Sequence, residues 1–230
     1  MTSPAQKHRM RVLAEKAAEQ NGAGLPATGT AYALMMAALV QDLRRLKDIQ
    51  SIQSKTVVKA EMVGTYQDYL DGVLAGNSGA QDEVLVTVMV WHIDVGDFRR
   101  GLDLAAYALT HKLNLPERYQ RTVPVLLLDE VADAVLMGRT ERNQDTLDVL
   151  QRVAELTSDH DAPDQARAKL HRAIGETLAI MAGDEPSGAQ LEMARAALAQ
   201  FNRAVSLHAG VGAKKAIERL ERLIKKTGTG

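Results

Sequence analysis

The stretch VPVLLLDEVADAV, residues 123–135, decides between two fold classes. Its apolar run leads into Asp129 and Glu130, a pattern also found in the magnesium-binding strand of P-loop ATPases. Pro124, however, suits the first turn of a helix, and acidic residues are favourable in early turns. The apolar positions recur at helical rather than alternating intervals: Leu127, Val131, Ala134 and Val135. We therefore predict a buried helix here rather than a strand.

A P-loop ATPase also needs a phosphate cradle, which this sequence lacks. The motif G-x-x-x-x-G-K-[ST] wraps glycine amides around the phosphates and brings a lysine to them. The nearest candidates are GDEPSGAQ at 183–190, which has Ala-Gln in place of Lys-Ser/Thr, and GVGAKK at 210–215, where the spacing is wrong. The sequence thus argues against an ATPase.

The composition indicates an all-α protein. The chain has 230 residues and 46% hydrophobic content, which suffices for one or two domains with a real core. Helix-favouring Ala, Leu, Arg, Glu and Gln are abundant and β-branched clusters are few. No cysteine is present, so thiol and disulfide chemistry is excluded. The sequence shows no signal-type segment and no run long enough to span a membrane, so we predict no membrane partner.

The near-neutral net charge of −1 conceals a segregation along the chain. Residues 1–60 carry nine Lys and Arg against four Asp and Glu, and residues 171–230 carry nine against six. Residues 61–170 carry ten against nineteen, so the middle is acidic. We interpret the basic ends as candidate surfaces for a polyanion. Aromatic residues make up only 3% of the chain, which disfavours binding by stacking of single-stranded bases.

Residues 1–75 are predicted to form a small basic helical module for DNA binding and assembly. Ser3-Pro4 has the pattern of a helix start, and NGAGLPATGT at 21–30 breaks that helix. A second helix is predicted over about 31–52 and a third over about 57–74. Basic residues on successive helices are compatible with a DNA-binding module, although any solvated helix face carries charges too.

Residues 79–230 are predicted to form a larger helical domain with tetratricopeptide-like hairpins. Two helices with a tight turn at DVGD, residues 94–97, are indicated over about 80–116, with small residues where paired helices pack closely. A second hairpin is indicated around Gly183-Asp184. The two Gly-Asp turns are too far apart for a regular repeat array, and helices over 124–137, 144–157 and 163–181 lie between them.

The last helix, VGAKKAIERLERLIKK at 211–226, is strongly amphipathic. Ile217, Leu220 and Ile224 lie on one side, and Lys214 and Lys215 begin the cationic side. Such a helix either caps the stack or docks a partner.

No catalytic centre stands out. PDQARAK at 163–169 is similar to a metal-dependent nuclease motif, but Arg167 occupies the second acidic position, where the metal would meet a cation. The six histidines are never spaced three or four residues apart, so no helix presents a pair of them to a metal. We predict no cofactor and no enzymatic activity.

The order of these segments resembles one known family, the small terminase subunits of temperate tailed phages that package DNA from cohesive ends. Five blocks carry the resemblance and together span nearly the whole chain: TSPAQKHRM, GAQDEVLVTVMVWHIDVGDF followed by GLDLAAYAL, RTVP, DAPDQARAKLHRAIG and AGVGAKKAIERLERLIKK. The first two are the most specific.

This resemblance implies a packaging component that is not itself the motor. Such subunits bind double-stranded viral DNA at the packaging site, assemble into rings and regulate a large subunit that holds the ATPase and nuclease. It also implies action in the host cytoplasm. Two alternatives stay open, a terminase endonuclease subunit and a helical scaffold that binds only protein.

Specific residues follow from the charge pattern. Because the cations of the N-terminal module are concentrated on short helices, we predict that they contact DNA: Lys7, Arg9, Arg11, Arg44, Arg45, Lys47, Lys55 and Lys59. The closing helix is assigned to the large subunit, with these contacts: Lys214, Lys215, Ile217, Leu220 and Ile224.

Homo-oligomerisation is predicted as well. VLVTVMV at 84–90 is apolar at six of seven positions, which is too apolar for a helix that exposes one face. It must be buried either in a core or between subunits.

Overall fold

A computed structural model describes residues 3–227 of the chain. Within these residues there are eleven α-helices and two short 3₁₀ turns, and no strand beyond one isolated bridge between Pro26 and Gln81. The predicted all-α class is confirmed. The chain divides into two compact units, Met1–Val123 and Pro124–Gly230. The predicted module 1–75 lies within the first unit, together with the next two helices.

The first unit contains six helices. They are α1 (Pro4–Gln20), α2 (Thr30–Lys47), α3 (Ile52–Met62), α4 (Gln67–Gly76), α5 (Glu83–Asp94) and α6 (Phe98–Thr110), with 3₁₀ turns at Val63–Tyr66 and Glu117–Tyr119.

The start of α1 follows the predicted capping pattern. The Ser3 hydroxyl accepts a hydrogen bond from the Gln6 amide at 3.3 Å, and the Gln6 side chain accepts one from the Ser3 amide at 2.8 Å. Pro4 occupies the first helical position, where its missing N–H has no consequence. These contacts define where the cationic helix begins.

Small residues bring α1 close to α4. A Cβ built on Gly72 would lie 2.7 Å from the Cβ of Ala14, and one built on Gly76 would lie 2.6 Å from the Cβ of Ala18. Both alanines are buried. The two helices therefore approach each other through alanine on one side and glycine on the other.

Helix α5 forms the centre of the first unit. Every residue from Val84 to Ile93 is buried, which confirms the first of the two predicted locations for this apolar stretch, a core. Its burial is complete within one chain, so the stretch gives no support to homo-oligomerisation. The predicted turn before α6 is present, with Gly96 in the left-handed region at φ 83°.

The predicted helix over about 57–74 is helical throughout but is not a single α-helix. The structure has α3 from Ile52 to Met62, a 3₁₀ turn at Val63–Tyr66 and then α4. Helix α2 also ends at Lys47 rather than at residue 52. The apolar period continues across the break between α2 and α3, through Leu46, Ile49 and Ile52. Periodicity alone therefore does not locate this break at residues 48–51.

The second unit contains most of α7 and four further helices. These are α7 (Val123–Leu136), α8 (Gln144–Thr157), α9 (Asp164–Ala182), α10 (Ala189–Leu207) and α11 (Lys214–Thr227). The helix predicted for 123–135 is confirmed. Helix α8 packs against α9, α9 against α10, and α10 against α11, so that α8 and α11 are the two ends of this packing series.

A charged contact joins α9 to α7. The Lys169 ammonium donates to Asp129 at 2.8 Å and to Asp133 at 3.2 Å. Partial burial alone lowers the pKa of Lys169, but its bonds to the two carboxylates raise that pKa above its ordinary value. The acidic residues of the opening motif thus hold a lysine of the neighbouring helix.

Within residues 3–227, no helix is both long and apolar enough to cross a bilayer.

Candidate nucleic-acid interface

The first cationic group lies on α1. Lys7, Arg9 and Arg11 are all exposed. Lys7 and Arg9 also border an open groove between α1 and α2, whose apolar lining includes Leu13 and Leu34, 38% and 53% exposed. A polyanion can therefore reach both cations from solvent.

The second cationic group lies at the end of α2. Arg44, Arg45 and Lys47 are exposed, and all three fall in the last turn of the helix, where cations interact favourably with the helix dipole. Arg45 forms a 3.1 Å ion pair with Glu61 of α3, and more than half of each side chain is exposed. Arg45 therefore has a surface partner already, which an incoming phosphate must replace.

The two predicted cations on α3 are placed differently from the others. Lys55 is half-buried. Lys59 forms an ion pair with Asp94 of α5, in which the Lys59 side chain is 19% exposed and that of Asp94 24%. Lys59 thus connects α3 to the central helix, and a role in binding would require it to leave this contact.

The structure does not merge the two groups into one patch. Lys7 and Arg9 border the same groove as Leu34, in the first half of α2. Arg44 follows Leu34 by ten residues, which at the rise of an α-helix is about 15 Å. The predicted contacts on α1 and α2 therefore form a pair of cationic groups beside the two ends of α2.

Sequence reasoning missed the tip of α3. Ile52 is 82% exposed, and the neighbouring Gln53 and Ser54 are exposed as well. The start of this helix is set by Ser51, whose hydroxyl accepts from the Ser54 amide at 3.2 Å. A serine three residues before another polar residue was the available signal, although it is weak. The tip follows Lys47 by only a few residues along the chain and presents apolar and polar groups rather than cations.

The closing helix α11 presents a third cationic surface in the second unit. Lys214 and Lys215 are exposed, Ile217 and Ile224 are half-buried, and Leu220 is 3% exposed. Since α11 packs along α10, Leu220 belongs to the core of this unit. The surface that α11 offers to a partner consists mainly of its cations.

Two polar side chains that could do chemistry, those of His92 and Lys169, are held by neighbouring carboxylates. His92 is buried beside Asp97, with 2.9 Å between its Nδ1 and the carboxylate, and burial lowers its pKa. Lys169, from the nuclease-like string, is held by two aspartates. Across residues 3–227, no group of three or more His, Asp or Glu is arranged to hold a metal ion.

These features define an all-α protein with clustered cations on the helices of its first unit, a class suited to binding polyanions. The family can be named from comparison with known sequences. The chain belongs to the phage small terminase subunit family, whose profile matches residues 36–165.

Two curated relatives agree with this assignment. The "Terminase, endonuclease subunit" of Escherichia phage P2 is 39% identical over 225 residues, which cover 98% of this chain and 87% of the relative. The "Probable terminase, endonuclease subunit" of Haemophilus phage HP1 is 25% identical over 104 residues, covering 45% of this chain and 37% of the relative. No solved structure matches the chain significantly.

The resemblance seen in the sequence is therefore confirmed. The chain is a terminase subunit with a role in phage DNA packaging, and the matching family is that of the small, non-enzymatic subunit. The relatives' names keep an endonuclease role as the alternative.

Proposed function

We propose that this chain recognises double-stranded viral DNA at the cohesive-end packaging site through its first unit, and regulates the large terminase subunit. The observation that carries this proposal is the pair of exposed cationic groups at the two ends of α2. Such groups neutralise phosphates and release counterions, which is the main source of affinity for DNA.

The separation of the two groups suits a duplex. The rise of about 15 Å along α2 from Leu34, beside the first group, to Arg44, in the second, is comparable to the width of the major groove, about 12 Å. The α1 group and the α2 group could therefore contact phosphates on either side of one groove. The exposed tip of α3, with Ile52 and Gln53, would then supply contacts to base edges, because glutamine pairs with adenine and apolar groups contact the thymine methyl.

The predicted DNA contacts fall into three groups of decreasing importance in this proposal. Lys7, Arg9, Arg11, Arg44 and Lys47 are the primary phosphate contacts because they are exposed. Arg45 would contribute after exchanging Glu61 for a phosphate. Lys55 and Lys59 come last, since one is half-buried and the other pairs with Asp94.

A pair of charge-reversal variants tests the location of the interface. Arg44→Glu with Lys47→Glu removes two phosphate contacts, so the salt slope of DNA binding should fall by about 2 and the affinity by tenfold or more at low salt. Arg203→Glu, which reverses an exposed charge on α10, is the control and should leave both unchanged. The measurement is a fluorescence anisotropy titration with a cohesive-site duplex at several salt concentrations. Lys214→Glu with Lys215→Glu tests the other end of the chain: if it abolishes binding while the Arg44 and Lys47 variant binds like the wild type, the DNA interface lies at that end.

The endonuclease alternative rests on the names of the two relatives, which are both called endonuclease subunits. Incubating the purified protein with magnesium and a cohesive-site duplex distinguishes the candidates. Binding without nicking supports the recognition subunit, and nicking supports the endonuclease. Absence of both supports a scaffold that binds only protein.

The remaining parts of the proposal concern assembly. We place action in the host cytoplasm and propose a homo-oligomeric ring, both on family grounds. The α5–α6 and α9–α10 pairs would serve as tetratricopeptide-like scaffolds, since close packing of two helices joined by a Gly-containing turn is common to both. The cationic face of α11 would bind protein rather than DNA. The charge pattern of the sequence assigns it to the large subunit, and another copy of this chain is the second candidate.

A further inference from the structure

Two helix faces of opposite charge lie at the two ends of the packing series in the second unit. Helix α8 packs on α9 at one end, and α11 packs on α10 at the other. Each helix has 14 residues, so each face is about 21 Å long. The unit thus carries two helix surfaces of equal length, one at each end.

The outer face of α8 is acidic. Its inner side is buried through Leu147, Leu150 and Val153. The exposed side carries a row of acidic residues at helical spacing, which continues just beyond the helix: Asp145, Asp148, Glu155 and Asp159. The half-buried Arg152 is the one cation of α8. The face therefore keeps a clear negative excess.

The outer face of α11 is basic. Leu220 is buried on the inner side. The exposed side carries six cations against two glutamates, Glu218 and Glu221; the cations are Lys214, Lys215, Arg219, Arg222, Lys225 and Lys226. Arg219 pairs at 2.7 Å with Asp184 of its own unit, and Lys225 and Lys226 also have interaction partners. Six cations against two carboxylates give the face a formal positive excess.

We infer that the cationic face of α11 in one copy docks on the acidic face of α8 in the next copy, so that identical chains associate head to tail. This inference rests on the homo-oligomer of the proposed function and assigns its interface. A second copy fits because the two faces match in length and oppose in charge. DNA or the large subunit would use the α11 face but leave the acidic α8 face without a role.

The charges also decide the symmetry of the contact. Two α8 faces repel each other, as do two α11 faces, so a two-fold pairing of like surfaces is disfavoured. A contact between unlike faces uses each face once per subunit, and such contacts close into rings or continue as filaments.

The small strength of exposed ion pairs predicts how this interface behaves. Exposed ion pairs are individually weak, so one contact between two subunits should be short-lived. Closing a ring makes the last contact intramolecular and stabilises the whole assembly. The oligomer should therefore dissociate on addition of salt, since screening shortens the reach of surface charges to about 8 Å at physiological ionic strength.

Two full-length variants test the inference. One reverses the acidic face by Asp148→Lys, Glu155→Lys and Asp159→Lys, and the other reverses the basic face by Lys214→Glu, Lys215→Glu and Arg222→Glu. Native mass spectrometry and light scattering at low salt should show each variant alone as a monomer. An equimolar mixture should regain the wild-type mass or form an even-numbered ring, because unlike faces meet again only between the two variants.

Control variants show whether a change of mass is due to the reversed charge of a face. Lys214→Arg with Lys215→Arg preserves the charge, and Arg203→Glu reverses an exposed charge on α10 away from both faces; each should keep the wild-type mass. Circular dichroism checks the fold of every variant. If a triple reversal misfolds, the double reversal Glu155→Lys with Asp159→Lys or Lys214→Glu with Lys215→Glu replaces it.

Other outcomes overturn the inference. They are a monomeric wild type at low salt, single variants that keep the wild-type mass, or a mixture that stays dissociated. Anisotropy with cohesive-site DNA on the same variants separates this result from the proposed DNA recognition, which requires the first unit. If the basic-face variant keeps its mass but loses DNA or the large subunit, α11 serves that partner instead.

Discussion

At the scale of single residues, Asp82 is the carboxylate whose environment departs most from water. It is 1% exposed, caps α5 by accepting from the Leu85 amide at 2.9 Å, and accepts from the Tyr69 hydroxyl at 2.5 Å. Burial raises the pKa of Asp82 above its ordinary value, although these hydrogen bonds oppose the shift. An acid with a raised folded-state pKa stabilises the fold most below its unfolded pKa, and this contribution is lost as the pH rises through the folded value.

The substitution Asp82→Asn tests the direction of this pH dependence of stability. Asparagine keeps an acceptor for the Leu85 amide but does not titrate, so the stability of the wild type relative to the variant should decrease as the pH rises above the ordinary pKa of an aspartate, about 4. Urea unfolding of both proteins at a series of pH values gives the difference directly, and the other carboxylates cancel. A difference that grows with pH would mean that the hydrogen bonds to Asp82 outweigh its burial.

Local residue patterns predicted the helices correctly but did not show which side chains contact each other. The period of Leu127 and Val131 correctly predicts a helix, because burial on one side imposes that period. Nothing in the local sequence shows that Asp129 and Asp133 hold Lys169, which lies 40 and 36 positions away along the chain. Likewise, Leu220 was predicted as a partner contact from the amphipathic pattern of α11 alone. Such a pattern does not show whether the apolar side of a helix packs against its own chain or against a partner.

At the scale of elements, the position of the cationic helix α1 depends on its close approach to α4. Gly76→Ala gains helix propensity of up to about 1 kcal/mol, but its methyl group would meet the Cβ of Ala18 and the backbone oxygen of Glu15, both at 2.6 Å. Because a backbone oxygen cannot move aside like a flexible side chain, we expect net destabilisation of about 1–3 kcal/mol. DNA affinity should fall too, since α1 is displaced without any change of charge.

Gly64→Ala is the matched control for this substitution. An added methyl group there meets nothing within 4 Å, so stability and DNA binding should stay close to those of the wild type. Urea midpoints and anisotropy titrations provide both measurements. If Gly76→Ala loses stability but binds DNA as before, the cations of α1 do not contribute to the interface.

Elements were predictable where capping and pattern agree. Ser3-Pro4 and the turn at residues 94–97 are marked by residues with strong local preferences, and both are found where predicted. The break between α2 and α3 was predicted too late, at 53–56 rather than 48–51, because its local signal is the Ser51 cap, while the apolar period runs on. The groove beside Leu34 could not be predicted, since it depends on how two helices cross.

At the scale of the whole molecule, the two compact units suggest a division of labour. The first unit buries α5 in a core of its own, and the second buries α9 and α10. The DNA contacts proposed above fall in the first unit, and both faces of the proposed subunit interface fall in the second. The two functions should therefore be separable by cutting the chain ahead of α7, whose first residue is at the boundary between the units.

Two fragments, residues 1–120 and 121–230, test this separation. Both should be helical by circular dichroism, because the cut falls close to the boundary between the two compact units. The first fragment should bind duplex DNA with a salt slope of about −0.9 for each phosphate contact but stay monomeric, so its affinity should fall below that of the full chain, whose linked subunits bind together. The second should self-associate at low salt and ignore DNA. Self-association by the first fragment, or DNA binding by the second, would show that recognition and assembly are not divided between the units in this way.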